Sequence, residues 1–298
     1  MTFRASLTAS AAFGALMVGL IGAAGTAAAD PLTPISLPAG TAINLKFQDF
    51  DTFLTSSGGV VPVGSSIAVG DQNVGVINVT SINSATTGAT LWTPGGSNGF
   101  LEGVFNGITA TSVSSNTIGN SGGTIVLYQV SSLPDFSQGT SGYTAGGCAI
   151  GGLCYHGITD VGGTQFLTVN LVPGADKAGD TLLATLTSAT VPPSGTASGY
   201  GVITGGSGAS QFATGTFTTA IGTLADFSFR DDFCANVAGC NGISGPIGDW
   251  YDISNDPVAA STAVPHAVPE PASLALFGTA LLGFGLIGRP RRKPEERV

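Results

Sequence analysis

Between residues 30 and 256 the chain offers one imidazole, His156, with Asp160 four residues further on. A Ser-His-Asp hydrolase would have to use that pair, yet no G-x-S-x-G turn is present to expose a nucleophile. His156 follows Cys154 by two residues and reads as part of a disulfide loop. Glu102 is the only glutamate of the span. Glycoside hydrolysis needs two neighbouring carboxyls, one of them held protonated. Glu102 with an aspartate is therefore the hydrolase candidate, against the plainer reading of an exposed strand position. Asp49 and Asp51 alternate onto one strand face, as an acid pair for hydrolysis or, equally, solvated edge charge would. Asp231-Asp232 and Asp249, Asp252 and Asp256 supply the hard oxygen donors that suit Ca²⁺. They lack the D-x-[DN]-x-[DN]-G order and closing glutamate of an EF-hand. No metal or other cofactor is expected, and Asp249, Asp252 and Asp256 are the candidates for a loose calcium site. Trp250 and Tyr251 could stack on a sugar or close the end of a β-sandwich.

Four cysteines fall in two pairs of equal spacing, Cys148/Cys154 and Cys234/Cys240, each enclosing five residues. In an exported chain an even count at such spacing reads as disulfides, and local pairs are the simplest of the three connectivities. Zinc sites use shorter C-x₂₋₄-C steps with histidine, and redox motifs use C-x-x-C. Residues 30–268 carry three basic against fifteen acidic residues, a balance of −12. Such a surface repels phosphate, so nucleic acid is excluded as a partner.

The elements that must position these groups read as strands. Ala42–Phe47, Val74–Val79, Phe100–Val113, Thr124–Val130, Gln165–Val172, Thr181–Val191, Gly199–Thr204, Gln211–Ala220 and Ala225–Arg230 are rich in β-formers and separated by Gly, Ser, Pro and Asn. Ser66–Val69 reads the same way. Leu167, Val169 and Leu171 alternate with Thr168 and Asn170, one face apolar and one wet. No sustained 3.6-residue period with caps appears. Some ten short strands predict an all-β antiparallel β-sandwich or jelly roll. Residues 30–256 form this body, and 257–268, rich in Ala, Pro and Val, read as an extended stalk.

The two ends carry addresses. Residues 1–29 read as a secretory signal peptide: Arg4, an apolar Ala-rich run, then Ala27 and Ala29 at −3 and −1 of the cleavage site. At the other end, Pro269-Glu270-Pro271 resists helix and presents an extended segment. Ala272–Gly288 follows without a charge, at the short end of bilayer-spanning length. Arg289, Arg291, Arg292 and Lys293 come next and favour the cytoplasmic side. This tripartite stretch, 269–298, resembles the PEP-CTERM sorting signal of Gram-negative bacteria. The resemblance implies an exosortase, a membrane-embedded cysteine transpeptidase, as processing partner, with cleavage near Pro269-Glu270-Pro271. Signal peptidase would act at the other end. It also implies a membrane-anchored precursor and a mature protein on the cell surface or in the matrix, with a link to exopolysaccharide. The sequence supports a non-enzymatic structural or adhesion protein first. A carbohydrate-binding module, calcium-assisted, and a secreted hydrolase are the alternatives.

Overall fold

The computed structural model describes residues 32–132 and 163–264, apart from 189, 243, 245–249 and 256. The strands are β1 (Ala42–Leu54), β2 (Gln72–Ser84), β3 (Thr90–Trp92), β4 (Phe100–Val113), β5 (Thr117–Ser121), β6 (Thr124–Val130) and β7 (Thr164–Val172). They continue as β8 (Leu182–Ser188), β9 (Ser194–Gly205), β10 (Phe217–Thr218), β11 (Leu224–Ala225), β12 (Phe227–Ala235), β13 (Asp252–Ser254) and β14 (Val258–Ser261). Among the described residues one short α-helix, α1 (Ala209–Phe212), interrupts them, besides two single 3₁₀ turns. The protein is all-β and antiparallel, with one twelve-stranded sheet and the small β10–β11 pair.

The large sheet returns on itself. At one end the pairing runs β1–β2–β4–β6–β7–β9–β12–β14 and back to β1. At the other end β5, β8 and β13 take the places of β6, β7 and β14. Five long strands thus run through both storeys, and closure removes the open edges that invite aggregation. Residues directly opposite in an antiparallel pair share a face. The odd positions of β1, from Ile43 to Phe53, therefore line the interior with their partners on β2, β13 and β14. Ile43, Leu45, Phe47, Val79, Leu101, Leu127, Leu167, Val169 and Phe227 fill one storey. Ile67, Ile118, Ala184, Leu186, Val191 and Ala197 fill the other.

Glycine has a packing role in β9. Phe227, Phe229 and Phe233 of β12 sit in register with Gly201, Gly199 and Gly195. A Cβ on Gly201 would stand 2.9 Å from the Phe229 ring, so the missing side chain there makes room for the aromatic, while at Gly195 and Gly199 it makes room for the Thr185 and Thr181 carbonyls of the neighbouring segment.

Several strand assignments differ from the sequence reading, and β5 and β13 are strands it did not include. Ser66–Val69 is loop, tied by a single bridge from Ser66 to Thr190. Gln211 lies in α1, because Gly206 and Gly208 lead the chain into a turn against Phe166 rather than onward in a strand. Val258–Ser261, expected within the stalk, is β14. It pairs with β1 from Ala42↔Ser261 to Leu45↔Val258 and buries Val258 and Ala260.

Candidate functional site

Between the two apolar storeys the interior is polar. Asp49 and Asp51 share parity on β1 with Leu45, Phe47 and Phe53, so the same alternation that buries the apolar side chains buries the acids. Both are 7% exposed, which overturns the reading as edge charge. Asp51 faces Asp252 of β13 across the register, and Asp49 faces Ser254. Asp231 of β12, opposite Ala197, points to the same interior, while Asp232 is exposed on the other face. Strand neighbours cannot act together, so Asp231-Asp232 is not a joint ligand pair.

The cluster is unusual electrostatically. The body's three cations, Lys46, Lys177 and Arg230, are all exposed. Asp49 accepts hydrogen bonds from the Ser254 backbone N–H at 3.0 Å and from the Ser254 hydroxyl. Burial nonetheless raises its pKa to about 6. Burial, and then the charge of Asp49, lifts Asp51 well above the ordinary carboxyl range. Asp252, 1% exposed, is lifted well above it by burial and then by Asp51, Asp49 and Asp231. Asp51 and Asp252 share a side-chain hydrogen bond, as protonated carboxyls can, and Asp51 also hydrogen-bonds to the Asn73 side chain. Carboxyls crowded without a counter-ion keep protons rather than ionise together.

A cavity of about 50 Å³ adjoins the acids, lined also by Asn73, Asn120 and Asp71. It has room for water. Ligand pockets for small organic molecules run to roughly 300 Å³ or more, and the cavity among the described residues is smaller than that. Among the described residues no three His, Cys, Asp or Glu side chains are arranged to hold a metal ion. Asp249 and Asp256 lie outside the described residues, so the calcium candidates are represented only by Asp252.

Glu102 sits on the opposite face of the sheet, between Asn78 of β2 and Tyr128 of β6. It is fully enclosed rather than exposed. Burial raises its pKa to about 8, and neither carboxyl oxygen is hydrogen-bonded among the described residues. On that same face Phe50, Val76, Val104 and Ile253 pack under Cys240 and Trp250. Trp250 is 4% exposed and lies 6.3 Å from the Phe50 ring, so it closes the packing and offers no sugar platform. The Tyr251 hydroxyl donates to the Val61 carbonyl at 2.8 Å. Cys234 and Cys240 are bonded, with Cα atoms 5.9 Å apart, and pin this cover.

Cys148, Cys154, His156 and Asp160 lie outside the described residues, as do Ala27, Ala29, Pro269, Glu270, Pro271, Arg289, Arg291, Arg292 and Lys293. Among the described residues no helix is long and apolar enough to cross a membrane, and 272–288 is not among them.

Sequence comparison adds one finding. Residues 267–292 match the PEP-CTERM protein-sorting motif. That stretch contains Pro269-Glu270-Pro271, the apolar run and the first three arginines of the basic cluster. No curated protein matches the chain, and no solved structure matches it. The motif marks an exported protein whose precursor is membrane-anchored and processed by an exosortase.

Proposed function

We propose that the mature protein is a non-enzymatic structural or adhesion component of the cell surface or extracellular matrix of a Gram-negative bacterium, associated with exopolysaccharide or biofilm. The observation that carries this reading is the sorting motif at 267–292, joined to a body whose sheet closes on itself. Support comes also from the charge-poor composition, only 9% Asp, Glu, Lys and Arg, which leaves Ser, Thr and Gly to face solvent. The buried acids favour the same reading, since neither the interior cluster nor Glu102 is open to a polymeric substrate.

The test is made in the native host. A strain carrying Pro269-Glu270-Pro271 replaced by alanines is compared with wild type for the location of the protein and for floc or biofilm mass. Retention of the protein in the membrane together with reduced matrix is the expected outcome. Wild-type matrix in a strain lacking the whole gene would refute the structural role. Chelator-sensitive binding on a glycan array would replace it with the carbohydrate-binding reading.

A further inference from the structure

The described chain enters and leaves the body at one pole. Thr41 donates its N–H to the Thr262 hydroxyl at 2.8 Å, and Thr262 donates its own N–H to the Thr41 carbonyl at 2.9 Å. Gln211 of α1 holds both segments. Its amide accepts from the Leu37 N–H at 3.2 Å and donates to the Ile35 carbonyl at 2.8 Å, and its carbonyl accepts from the Ala263 N–H at 2.6 Å. The exit of the C-terminal segment is therefore fixed as far as Ala263.

From there the tether is short. Nine peptide steps lead from Ala263 to Ala272, where the charge-free run begins. Fully extended they reach ~30 Å at most. β1, with 13 residues, runs ~43 Å from this pole to the other. A body anchored through Ala272–Gly288 and standing with this pole away from the bilayer would need a longer tether than the chain provides.

The surface of the pole fits such a neighbour. A groove of about 830 Å³ opens there between Leu37, Gly40, Ser210, Thr214, Thr262 and Val264, and no charged side chain lines it among the described residues. Acidic residues outnumber basic ones in the body, and among the described residues none of the carboxyls borders this groove, so no anionic group there opposes a lipid headgroup. Val63 and Val69, both exposed, lie in the loop beyond the far end of β1.

We infer that the Gln211 pole is a membrane-facing surface, held against the outer leaflet of the bilayer that anchors the precursor. The inference rests on the sorting reading of residues 267–292. It gives the closing α1 segment a function beyond folding: it aims the sorting tripeptide down toward the lipid plane, where a membrane-embedded enzyme works.

The test uses full-length precursor reconstituted into phosphatidylethanolamine–phosphatidylglycerol vesicles. Single cysteines are introduced by Ala39→Cys and Thr214→Cys at this pole and by Val63→Cys and Val69→Cys at the other. Their rates of reaction with a membrane-impermeant maleimide are then compared. Labelling at 39 and 214 is expected to be several-fold slower than at 63 and 69. Insertion after Val264 of a flexible Gly/Ser linker longer than β1 should restore the rate. Equal rates at both poles without the linker would overturn the inference while leaving the anchor intact. Failure of the protein to float with the vesicles would overturn the anchor reading itself, and the inference with it.

Discussion

Replacing Glu102 by glutamine should make the protein more stable at alkaline pH and leave it nearly unchanged in acid. The carboxyl is enclosed between Asn78 and Tyr128, without a hydrogen bond among the described residues, and burial raises its pKa from 4.5 to about 8. A raised carboxyl pKa means that the folded state binds the proton more tightly than the unfolded chain. The stability linked to that proton is complete below about pH 4.5, falls as pH rises, and is gone above about pH 8. At ~1.4 kcal/mol per pH unit the full span is ~5 kcal/mol as a ceiling, and water reaching the ionised group lowers it to about 2–4 kcal/mol. Glutamine keeps the shape and cannot ionise, so the variant should not lose this term. The assay is urea denaturation between pH 4.5 and 9, followed by the fluorescence of Trp92 and Trp250, both buried and the chain's only tryptophans. The interior aspartates contribute the same background slope to both proteins, so the difference between the two curves isolates Glu102. Parallel curves across the whole range would refute the argument, because they would mean that the carboxyl ionises freely in the folded state.

Other consequences can be measured directly. Asp51→Asn removes the nearest charge lifting Asp252, so the Asp252 carboxyl should titrate at lower pH in a carbon-13 NMR titration. Stability at pH 8 should rise in the same variant, since one fewer buried acid must ionise there. Cys240→Ser opens a small loop that closes the cover over Phe50 and Val104, and a loss of about 2 kcal/mol is expected from chain entropy in urea denaturation. Ending the chain after Val264 should leave the melting temperature unchanged. Ending it after Asn255 should lower it sharply, because β14 then vanishes with the burial of Val258, about 1.5–3 kcal/mol, and the pairing to β1.

Much of the architecture is readable from local pattern. Leu167, Val169 and Leu171 are buried as their alternation requires, and Asp49 and Asp51 do share a face. What alternation cannot supply is which side of a strand becomes the interior. Asp49 and Asp51 have the parity of Leu45, Phe47 and Phe53, and that parity was the available signal for their burial. Glu102 likewise has the parity of Phe100 and Val104, but Leu101 and Phe105 make the other face of β4 apolar as well, so alternation alone does not tell which face is covered. The partners of its burying face, Asn78 and Tyr128, come from other strands, and the cover beside it depends on Cys240 and Trp250, more than a hundred residues away. The Ala-rich sequence of β14 has weak strand preference, and only its place between β1 and β12 makes it a strand. The sorting motif was legible throughout, since an enzyme reads it as sequence before any tertiary contact exists.

The pairing of Ala42 with Ser261 joins positions about 220 residues apart. Contacts of such separation form late, because the intervening chain must first be gathered. For a polypeptide that crosses a membrane beginning with its N-terminus, β1 therefore waits for its neighbour until almost the entire chain has been delivered. Completion of the ring therefore requires almost the whole span between β1 and β14 to be present, so the last strand to close it lies only a few residues before the sorting motif.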